Sequence, residues 1–421
     1  MPFLDDLNAL ENQPAQQVAL LQFWLANKPR ALFDELRPVA PILMLPGLAL
    51  VLKHDDVVDV LARDTDFNVS SYAAKMHRVT GDFFLGMPDG ATYEREVSIM
   101  RLASSRNDLP RLELDMEKWA NECVGAKAAS GQLDVVGDVA RRVPGRLVSD
   151  YFGASGMPEP QLLQWLRDLF HDIFINPGDQ DPAVKEAAAL ASTQLCAQLD
   201  QLIAAQMEAA RTGAPLPDTV LARCVAMAAT PETALDPLGI RRNIAGLIVG
   251  TIDTTSECVA KVIDYLLDQP KLLDAATTAA HQGTLDDVRG YVYEALRFNP
   301  QAPSLIRVAG QDTVLAAGTE HSTAIPAGTT VIVALMSAMF DVEAFPAPEA
   351  FNPSRPERSY LHFGSGMHQC FGRYINRLQL PIIVRAILRL PGLRRAAGAS
   401  GTMTFDGPFP NQLLVEFDTK A

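Results

Sequence analysis

The sequence predicts a mainly α-helical protein with small β-sheets, in a single domain over residues 1–421. Several long segments repeat their apolar residues at helical spacing. The longest helical segment runs from Asp236 to about Asp268 and contains no proline after its start, so we expect one unbroken rod. Short apolar runs divided by glycine and proline predict strands, and no shift in composition marks a second domain.

Composition limits the possible partners and compartments. The net charge of −14 and pI of about 5.0 argue against nucleic acid as a general partner, because binding phosphates needs a basic surface. Residues 1–30 lack a signal-peptide pattern, and no apolar run approaches the ~18 residues of a membrane span. Five cysteines are spaced too widely for a disulfide framework, which favours a cytoplasmic protein. They are Cys123, Cys196, Cys224, Cys258 and Cys370.

The chemistry of the chain centres on Cys370, within the segment FGSGMHQCFG at 363–372. Three glycines in ten residues predict a tight turn, and helical spacing begins at Arg373. A helix N-terminus favours a thiolate over a thiol, and a shielded thiolate is a good ligand for haem iron. Two alternatives stay open, an inert buried cysteine and a zinc site that combines His362, His368 and Cys370.

A second polar motif, GTIDTT at 250–255, lies inside the longest predicted helix. Activation of dioxygen needs a hydroxyl and an acid that deliver protons, and Thr254 and Asp253 are those residue types. A hydroxyl in mid-helix can also donate to a carbonyl one turn back, which bends the helix and makes room for oxygen and water. Apolar flanking residues indicate that Asp253 is buried, and a buried acid is a candidate functional residue.

Glu294 and Arg297 form a third motif. At spacing i and i+3 they lie on one helix face and can pair. Apolar neighbours indicate that the pair is buried, where it needs further hydrogen bonds.

These motifs, in this order, resemble those of the cytochromes P450. Residues 363–372 match the haem loop Phe-x-x-Gly-x-x-x-Cys-x-Gly of that family, and 250–255 resemble its oxygen-activation motif. Glu294 and Arg297 match its Glu-x-x-Arg pair, with Arg355 as the usual third member, and we interpret these three as structural. The resemblance covers about residues 40–417. It implies the P450 fold, a triangular helical prism with a long central helix over the haem.

The resemblance also implies the cofactor and its ligands. The cofactor would be haem b, iron protoporphyrin IX, with Cys370 as the metal ligand. Arg307 and His368 match the residues that bind the haem propionates. The other residues assigned to the cofactor are Phe363, Gly364, Gly372 and Tyr93.

Three positions depart from the family pattern. In the predicted helix C, Tyr93 and Val97 replace the usual histidine and arginine, and only Tyr93 can still donate a hydrogen bond. Arg95 or Arg101 could compensate. Thr251 replaces the second glycine of the oxygen-activation motif, which should narrow or repolarise the pocket. The predicted pocket residues, which indicate an apolar substrate or plain core, are Phe83, Phe84, Phe170, Phe174, Leu247, Gly250, Thr251, Leu305 and Ile306.

The implied function is a monooxygenase that inserts one atom of O2 into an apolar small organic molecule, by hydroxylation, epoxidation or O-dealkylation. Electrons would come from a ferredoxin or flavodoxin with an NAD(P)H-dependent reductase. Arg373 and Arg377, with Arg95 and Arg101, could form the docking patch of a monomeric enzyme. Two alternatives are an H2O2-driven peroxygenase, which the acid–alcohol pair disfavours, and a non-enzymatic haem-thiolate sensor.

Overall fold

A computed structural model describes residues 2–176, 179–230, 233 and 235–419 and is 58% helical, so the mainly α prediction is confirmed. The helices are α1 (Phe3–Ala9), α2 (Pro14–Asn27), α3 (Pro29–Leu36), α4 (His54–Ala62), α5 (Ser70–Val79), α6 (Ala91–Ala103), α7 (Leu109–Gly125), α8 (Arg142–Arg146), α9 (Glu159–Phe170), α10 (Pro182–Arg211), α11 (Val220–Ala228), α12 (Pro237–Val249), α13 (Ile252–Leu267), α14 (Pro270–Gln282), α15 (Leu285–Phe298), α16 (Leu335–Ala338) and α17 (Arg373–Leu388). The strands are β1 (Ile42–Leu45), β2 (Leu48–Val51), β3 (Phe67–Asn68), β4 (Gln132–Asp134), β5 (Leu305–Ala309), β6 (Thr313–Leu315), β7 (Thr323–Ile325), β8 (Thr330–Val333), β9 (Arg394–Arg395), β10 (Thr404–Asp406), β11 (Phe409–Gln412) and β12 (Leu414–Glu416). Within the described part of the chain, no helix is both long and apolar enough to cross a membrane.

The chain divides into two compact units, each assembled from two stretches that are far apart in sequence. The first unit contains Met1–Ser71 and Tyr293–Phe371, and the second contains Tyr72–Val292 and Gly372–Ala421. The single domain over 1–421 stays a prediction.

The first unit is built on a five-stranded sheet with the order β1-β2-β8-β5-β3. β1 and β2 form the predicted hairpin, which turns at Gly47 with a φ of 72°, a conformation that favours glycine. β2 runs parallel to β8, and β5 pairs antiparallel with β8, with Arg307 opposite Val331.

Both faces of this sheet are covered by apolar side chains. Ala49 and Val51 belong to one buried cluster, whereas Leu48 and Leu50 belong to another, as expected when successive side chains point to opposite faces. A slip of one residue would exchange the two sets, so this packing fixes the register of the sheet. The register of β5 therefore fixes the position of Arg307 opposite Val331 of β8.

The second unit is mostly helical, with α17 packed against α7 and α13, and α9 packed against α10. Its small sheet has the order β4-β12-β9, and β10 and β11 form a separate hairpin. α10 begins at Pro182, because the Asp181 side chain accepts from two backbone N–H groups and proline is tolerated in the first turn. In the predicted turn between α9 and α10, residues 177 and 178 lie outside the described residues.

Two secondary-structure predictions are wrong. The mixed composition of residues 69–90 predicts a loop, but the segment contains α5, in which Lys75, Met76 and Val79 are buried. The long rod between 236 and 268 is two helices, α12 and α13, and the hydrogen bonds at their junction explain why.

Candidate active site

The segment around Cys370 is a tight loop whose shape depends on glycine. Gly364 and Gly366 have φ values of 67° and 74°, in the left-handed region that other residues rarely adopt. A Cβ atom on Gly366 would lie 2.0 Å from the carbonyl oxygen of Leu61, so no larger residue fits there. The predicted turn therefore exists for both conformational and steric reasons.

Backbone hydrogen bonds hold Cys370 in this loop. Its N–H donates to the carbonyl of Phe363 at 2.9 Å, and the side-chain amide of Gln369 donates to the carbonyl of Gly364 at 3.2 Å. Cys370 and Phe363 are half-buried. α17 begins just beyond, with Gly372 as its N-cap residue. A shielded cysteine immediately before a helix is the arrangement expected of a thiolate ligand.

His362 does not support the zinc alternative. Its Nε2 donates to the carbonyl oxygen of Tyr293 at 2.9 Å, so this nitrogen carries a proton and cannot at the same time bind a metal ion. Within residues 2–176, 179–230, 233 and 235–419, no group of three or more His, Cys, Asp or Glu side chains is placed to hold a metal ion. A single thiolate ligand fits this loop better.

Arg307 and His368 lie in the same unit as Cys370. Arg307 is only 4% exposed on β5, and its Nη1 donates to the carbonyl of Ile306 at 2.9 Å. His368 is half-buried in the loop, two residues before the cysteine. A thiolate, a guanidinium and an imidazole are the donors that an iron and two carboxylates require, so these residues fit a haem.

Glu294 is the centre of an ion cluster in which Glu294 and Arg297 are fully buried. Nε and Nη2 of Arg297 donate to its two oxygens at 2.8 Å, and Nε of Arg355 lies 3.4 Å from Oε1. The hydroxyl of Tyr360 and the N–H of Asn352 donate to Oε1 and Oε2, each at 2.8 Å. Burial opposes ionisation, but the donors from Arg297, Asn352 and Tyr360 lower the pKa of Glu294. This carboxylate stays ionised at neutral pH.

The same arginines hold the chain that precedes the loop. Arg297 donates to the carbonyls of Pro348 at 2.7 Å and Ala350 at 3.1 Å, and Arg355 donates to the carbonyl of Pro346 at 2.9 Å. These bonds support the interpretation of Glu294, Arg297 and Arg355 as structural residues.

The predicted long helix breaks at its polar motif. α12 ends at Val249 and α13 begins at Ile252. The N–H of Thr251 donates to the carbonyl of Ile248, three residues back, at 3.1 Å. A hydrogen bond from i to i−3 replaces the usual bond to i−4, so the ladder is interrupted here.

Threonine hydroxyls take up carbonyls at this break. The Thr254 hydroxyl donates to the carbonyl of Gly250 at 2.6 Å, as the sequence predicts. Thr251 donates in the same way to the carbonyl of Leu247, and Thr255 donates to that of Thr251, both at 2.8 Å. Because such bonds compete with the backbone ladder, three of them in five residues explain why the rod is broken.

Asp253 is buried, as predicted, and two arginines hold one of its oxygens. Nη1 of Arg141 donates to Oδ1 at 2.6 Å, and Nε and Nη2 of Arg167 donate to the same oxygen at 3.1 Å. Oδ2 is buried without a hydrogen-bond partner in the described part of the chain. Burial raises the pKa of Asp253 to about 6, although Arg167 favours the charged form. The carboxylate therefore predominates at pH 7 but can take up a proton close to that pH.

Comparison with known proteins decides the family. The family model for cytochrome P450 matches residues 161–390, more than half of the chain. The chain belongs to the cytochrome P450 family. P450 proteins bind iron protoporphyrin IX, so this chain is a haem-thiolate monooxygenase that uses O2 and a substrate.

Individual relatives are distant. The steroid C26-monooxygenase of Mycobacterium tuberculosis is 24% identical over 383 residues, which are 90% of this chain and 90% of that protein. The 20-oxo-5-O-mycaminosyltylactone 23-monooxygenase of Streptomyces fradiae is 32% identical over 221 residues, 52% of this chain and 49% of that protein. The crystal structure of the P450 enzyme CYP109B1 from Bacillus subtilis has a TM-score of 0.74 at 20% identity and covers 93% of this chain and 100% of that chain. These structural matches confirm the predicted P450 fold.

Helix C of this P450 is α6, and it carries a buried acid that sequence reasoning missed. Tyr93 and Val97 are 7% and 5% exposed, and Glu96, between them, is 1% exposed. The side-chain amide of Asn243 donates to Glu96 at 3.0 Å, and Arg242 of α12 also binds this carboxylate. The role of Tyr93 toward the haem stays a prediction.

Arg95 and Arg101, the two proposed substitutes on helix C, differ in environment. Both are exposed, but the guanidinium of Arg95 lies 3.7 Å from the carboxylate of Glu96. That either one compensates for Val97 also stays a prediction.

The predicted pocket residues form two aromatic groups in the second unit. Phe83 and Phe84 are buried with ring centroids 4.4 Å apart, and a Cβ on Gly246 would lie 2.3 Å from the Phe83 ring, so that ring packs directly on α12. Phe170 and Phe174 lie 4.8 Å apart, and Phe409 of β11 lies 6.2 Å from Phe170.

The remaining predicted pocket residues occupy three places. Leu247 is 8% exposed on α12, Gly250 and Thr251 form the helix break, and Leu305 and Ile306 are half-buried on β5. Contact of any of these residues with substrate stays a prediction.

Sequence reasoning also missed Arg141, Arg167 and Tyr360. Arg141 is followed by a second arginine and Arg167 lies in an amphipathic helix, so both resemble solvated surface residues. Their burial depends on Asp253, which is 112 residues from Arg141 and 86 residues from Arg167 in sequence. No local pattern identifies them.

Proposed function

We propose that this P450 inserts one atom of O2 into a C–H bond or π-bond of an apolar small organic molecule, by hydroxylation, epoxidation or O-dealkylation. The observation that carries the proposal is Cys370 on a glycine-dependent loop, in the same unit as buried Arg307. A thiolate ligand donates electron density to haem iron and so favours cleavage of the O–O bond.

Cys370 would hold the iron of the haem, and Arg307 and His368 would bind its two carboxylates. Phe363, Gly364 and Gly372 shape the loop around the sulfur, and Tyr93 would add a hydrogen bond from helix C. The bound haem supplies the redox chemistry of oxygen activation. The protein supplies the ligand, the orientation and the protons.

Asp253 and Thr254 would supply those protons. The Thr254 hydroxyl donates to the carbonyl of Gly250 at the helix break, and it must turn from that carbonyl to pass its proton on. Asp253 is the neighbouring acid with its pKa raised to about 6, so it can both bind and release a proton near pH 7. Because Oδ1 is occupied by Arg141 and Arg167, Oδ2 is the oxygen that would carry the proton.

A ferredoxin or flavodoxin with an NAD(P)H-dependent reductase would supply the electrons. A pair of arginines supports a positively charged docking surface for this electron carrier. The guanidiniums of Arg106 and Arg373 lie 3.7 Å and 4.5 Å from the ring centroid of Tyr374. Both arginines donate to the Tyr374 hydroxyl, and no carboxylate pairs with either of them among the described residues. Exposed Arg101 and Arg377 would extend this surface, but Arg95 is partly neutralised by Glu96.

The substrate class is supported by two observations. The aromatic groups around Phe83 and Phe170 favour an apolar molecule, and one relative with matching length is a steroid C26-monooxygenase. The wide spacing of the five cysteines in the sequence supports a cytoplasmic location. A monomer with a single domain over 1–421 completes the proposal.

The haem ligand is tested by spectroscopy of the reduced protein with CO. Wild type should show the red-shifted Soret band of a thiolate-ligated haem, and Cys370→Ser should lose it. The matched control is Cys196→Ser, because Cys196 is a half-buried free cysteine on α10. This variant should keep the band. If Cys370→Ser retains the band, the assignment is wrong.

Turnover separates the classes of enzyme. Product formed with NADH and surrogate redox partners, but not with H2O2, supports the monooxygenase. Product formed only with H2O2 would instead identify a peroxygenase. Absence of product with both oxidants, across a panel of compounds that shift the haem spin state, would favour a sensor.

A further inference from the structure

Thr251 occupies the position where P450 proteins usually have a second glycine, and its side chain makes a bond that glycine cannot make. Its hydroxyl donates to the carbonyl of Leu247 at 2.8 Å. We propose that Thr251 is a positioning residue that keeps the break between α12 and α13 open. This inference rests on the proposed monooxygenase function only for its catalytic consequence.

The hydrogen bonds around residue 251 carry the argument. In an unbroken helix the N–H of Thr251 would donate to the carbonyl of Leu247. Here that N–H donates to the carbonyl of Ile248 at 3.1 Å, which would leave the Leu247 carbonyl without its backbone donor. The Thr251 hydroxyl takes the place of the missing N–H. One residue thus both interrupts the ladder and satisfies the carbonyl that the interruption exposes.

Removing the hydroxyl would reverse this balance. With valine at 251, the Leu247 carbonyl would have no side-chain donor, and an unpaired backbone group in a partly buried position is unfavourable. The nearest remaining donor is the N–H of residue 251 itself, which restores the ordinary i to i−4 bond. We therefore expect the break to close and α12 and α13 to merge.

The break also fixes the positions of Asp253 and Thr254, the proposed proton relay. Gly250 lies within it, and its carbonyl accepts the Thr254 hydroxyl at 2.6 Å. Because α13 begins at Ile252, Asp253 falls in the first helical turn, where the helix dipole favours a carboxylate. Thr251 would therefore position both relay groups through the backbone, without exchanging a proton itself.

Thr255 offers a competing explanation. Its hydroxyl donates to the carbonyl of Thr251 at 2.8 Å and could hold the break alone. In that case Thr251→Val would leave the break unchanged, whereas Thr255→Val would close it. The two explanations therefore predict opposite results for the same pair of variants.

The structural test compares Thr251→Val, which removes the hydroxyl at nearly constant shape, with Thr251→Ser, which keeps it. Amide hydrogen exchange across 248–253 should slow roughly fivefold in the valine variant, the effect of regaining one backbone hydrogen bond, and stay near wild type in the serine variant. A crystal structure of the valine variant should show the residue 251 nitrogen bonded to the Leu247 carbonyl.

Thr278→Val is the matched control for this experiment. The Thr278 hydroxyl donates to the carbonyl of Asp274 at 2.9 Å within the unbroken helix α14, and it is exposed. The same chemical change there should alter no exchange rate between 248 and 253. If Thr251→Val exchanges at the wild-type rate or faster, or if only Thr255→Val closes the break, the proposal is overturned.

The functional readout is the share of NADH electrons recovered in product rather than in H2O2. A misplaced relay should lower product per NADH roughly tenfold in Thr251→Val and leave Thr251→Ser near wild type. Equal coupling in the two variants would overturn the positioning role. The exchange measurement does not depend on turnover, so failure of the monooxygenase assignment would be seen separately, as a lack of product from wild type with NADH and surrogate redox partners.

Discussion

Two buried carboxylates in this P450 each lie between arginines, yet their oxygens are treated differently. Glu294 in the first unit has donors on both oxygens, from Arg297, Tyr360 and Asn352. Asp253 in the second unit receives all three of its N–H donors on Oδ1, and Oδ2 has none within the described residues. Both carboxylate oxygens of Glu294 therefore accept hydrogen bonds, whereas only one oxygen of Asp253 does.

This difference sets the two pKa values in opposite directions. Donors to both oxygens overcome burial and lower the pKa of Glu294, whereas burial prevails at Asp253 and raises its pKa to about 6. A carboxylate that never changes charge is suited to anchoring a loop, and one that titrates close to neutral pH is suited to moving protons. The number of arginines nearby does not distinguish the two roles, but the use of each oxygen does.

The largest effect should come from Glu294→Gln. This change leaves Arg297 buried without its counter-charge, and breaking a buried ion pair costs about 3–5 kcal/mol of unfolding free energy. Denaturant unfolding measures the loss, and weaker retention of haem should accompany it. Glu208→Gln, in the exposed pair with Arg211, is the control and should leave stability nearly unchanged. Equal losses in the two variants would contradict an anchoring role for Glu294.

Asp253→Asn should lower the free energy of unfolding less than Glu294→Gln does, but it should reduce turnover more. Removal of a proton-transfer group lowers a rate by about a hundredfold. Product formation should therefore fall to that extent while the CO spectrum keeps its thiolate band. Asp168→Asn is a nearby control on α9, because Asp168 also has a raised pKa but accepts from Gln164 rather than from two arginines. Normal turnover in Asp253→Asn would remove this residue from the relay.

A buried carboxylate's partners can be predicted from the sequence only when they lie close to it along the chain. Glu294 and Arg297 are three residues apart on one helix, so their pairing is predictable from spacing alone. The loop around Cys370 is predictable for the same reason, since its glycines and its cysteine lie within ten residues. The hairpin of β1 and β2 likewise depends on a local turn at Gly47.

The parts that could not be predicted depend on distant residues or on competition within the backbone. Arg141 reaches Asp253 from the position just before α8 and Arg167 reaches it from α9, and nothing local marks either arginine as buried. The absence of proline indicated an unbroken rod between 236 and 268, but threonine hydroxyls interrupt a helix by hydrogen bonding rather than by steric conflict. Thr251 was therefore identified as unusual from sequence, whereas its effect on the helix was not.

The smallest effect should be a shift in pH dependence, and it tests the comparison most directly. Asp253 has a folded-state pKa of about 6, above its ordinary 3.8, so the stability that it contributes is fully present below pH 3.8 and is lost as pH rises through about 6. Glu294, with a lowered pKa, contributes stability above its ordinary value of 4.5 and loses it as pH falls. The two carboxylates should therefore give unfolding free energies with opposite pH slopes.

Substitution of Arg167 should change the pH dependence that comes from Asp253 without changing the pH dependence that comes from Glu294. Its charge lowers the pKa of Asp253, so Arg167→Gln should raise that pKa further and shift the midpoint of coupled turnover upward, measured between about pH 5 and 8. Arg167→Lys keeps the charge and should shift the midpoint less. The pH slope that depends on Glu294 should not change in either variant. A midpoint that stays fixed or falls in Arg167→Gln would mean that the arginines hold Asp253 in place without setting its charge, and the two buried clusters would then share a single structural role.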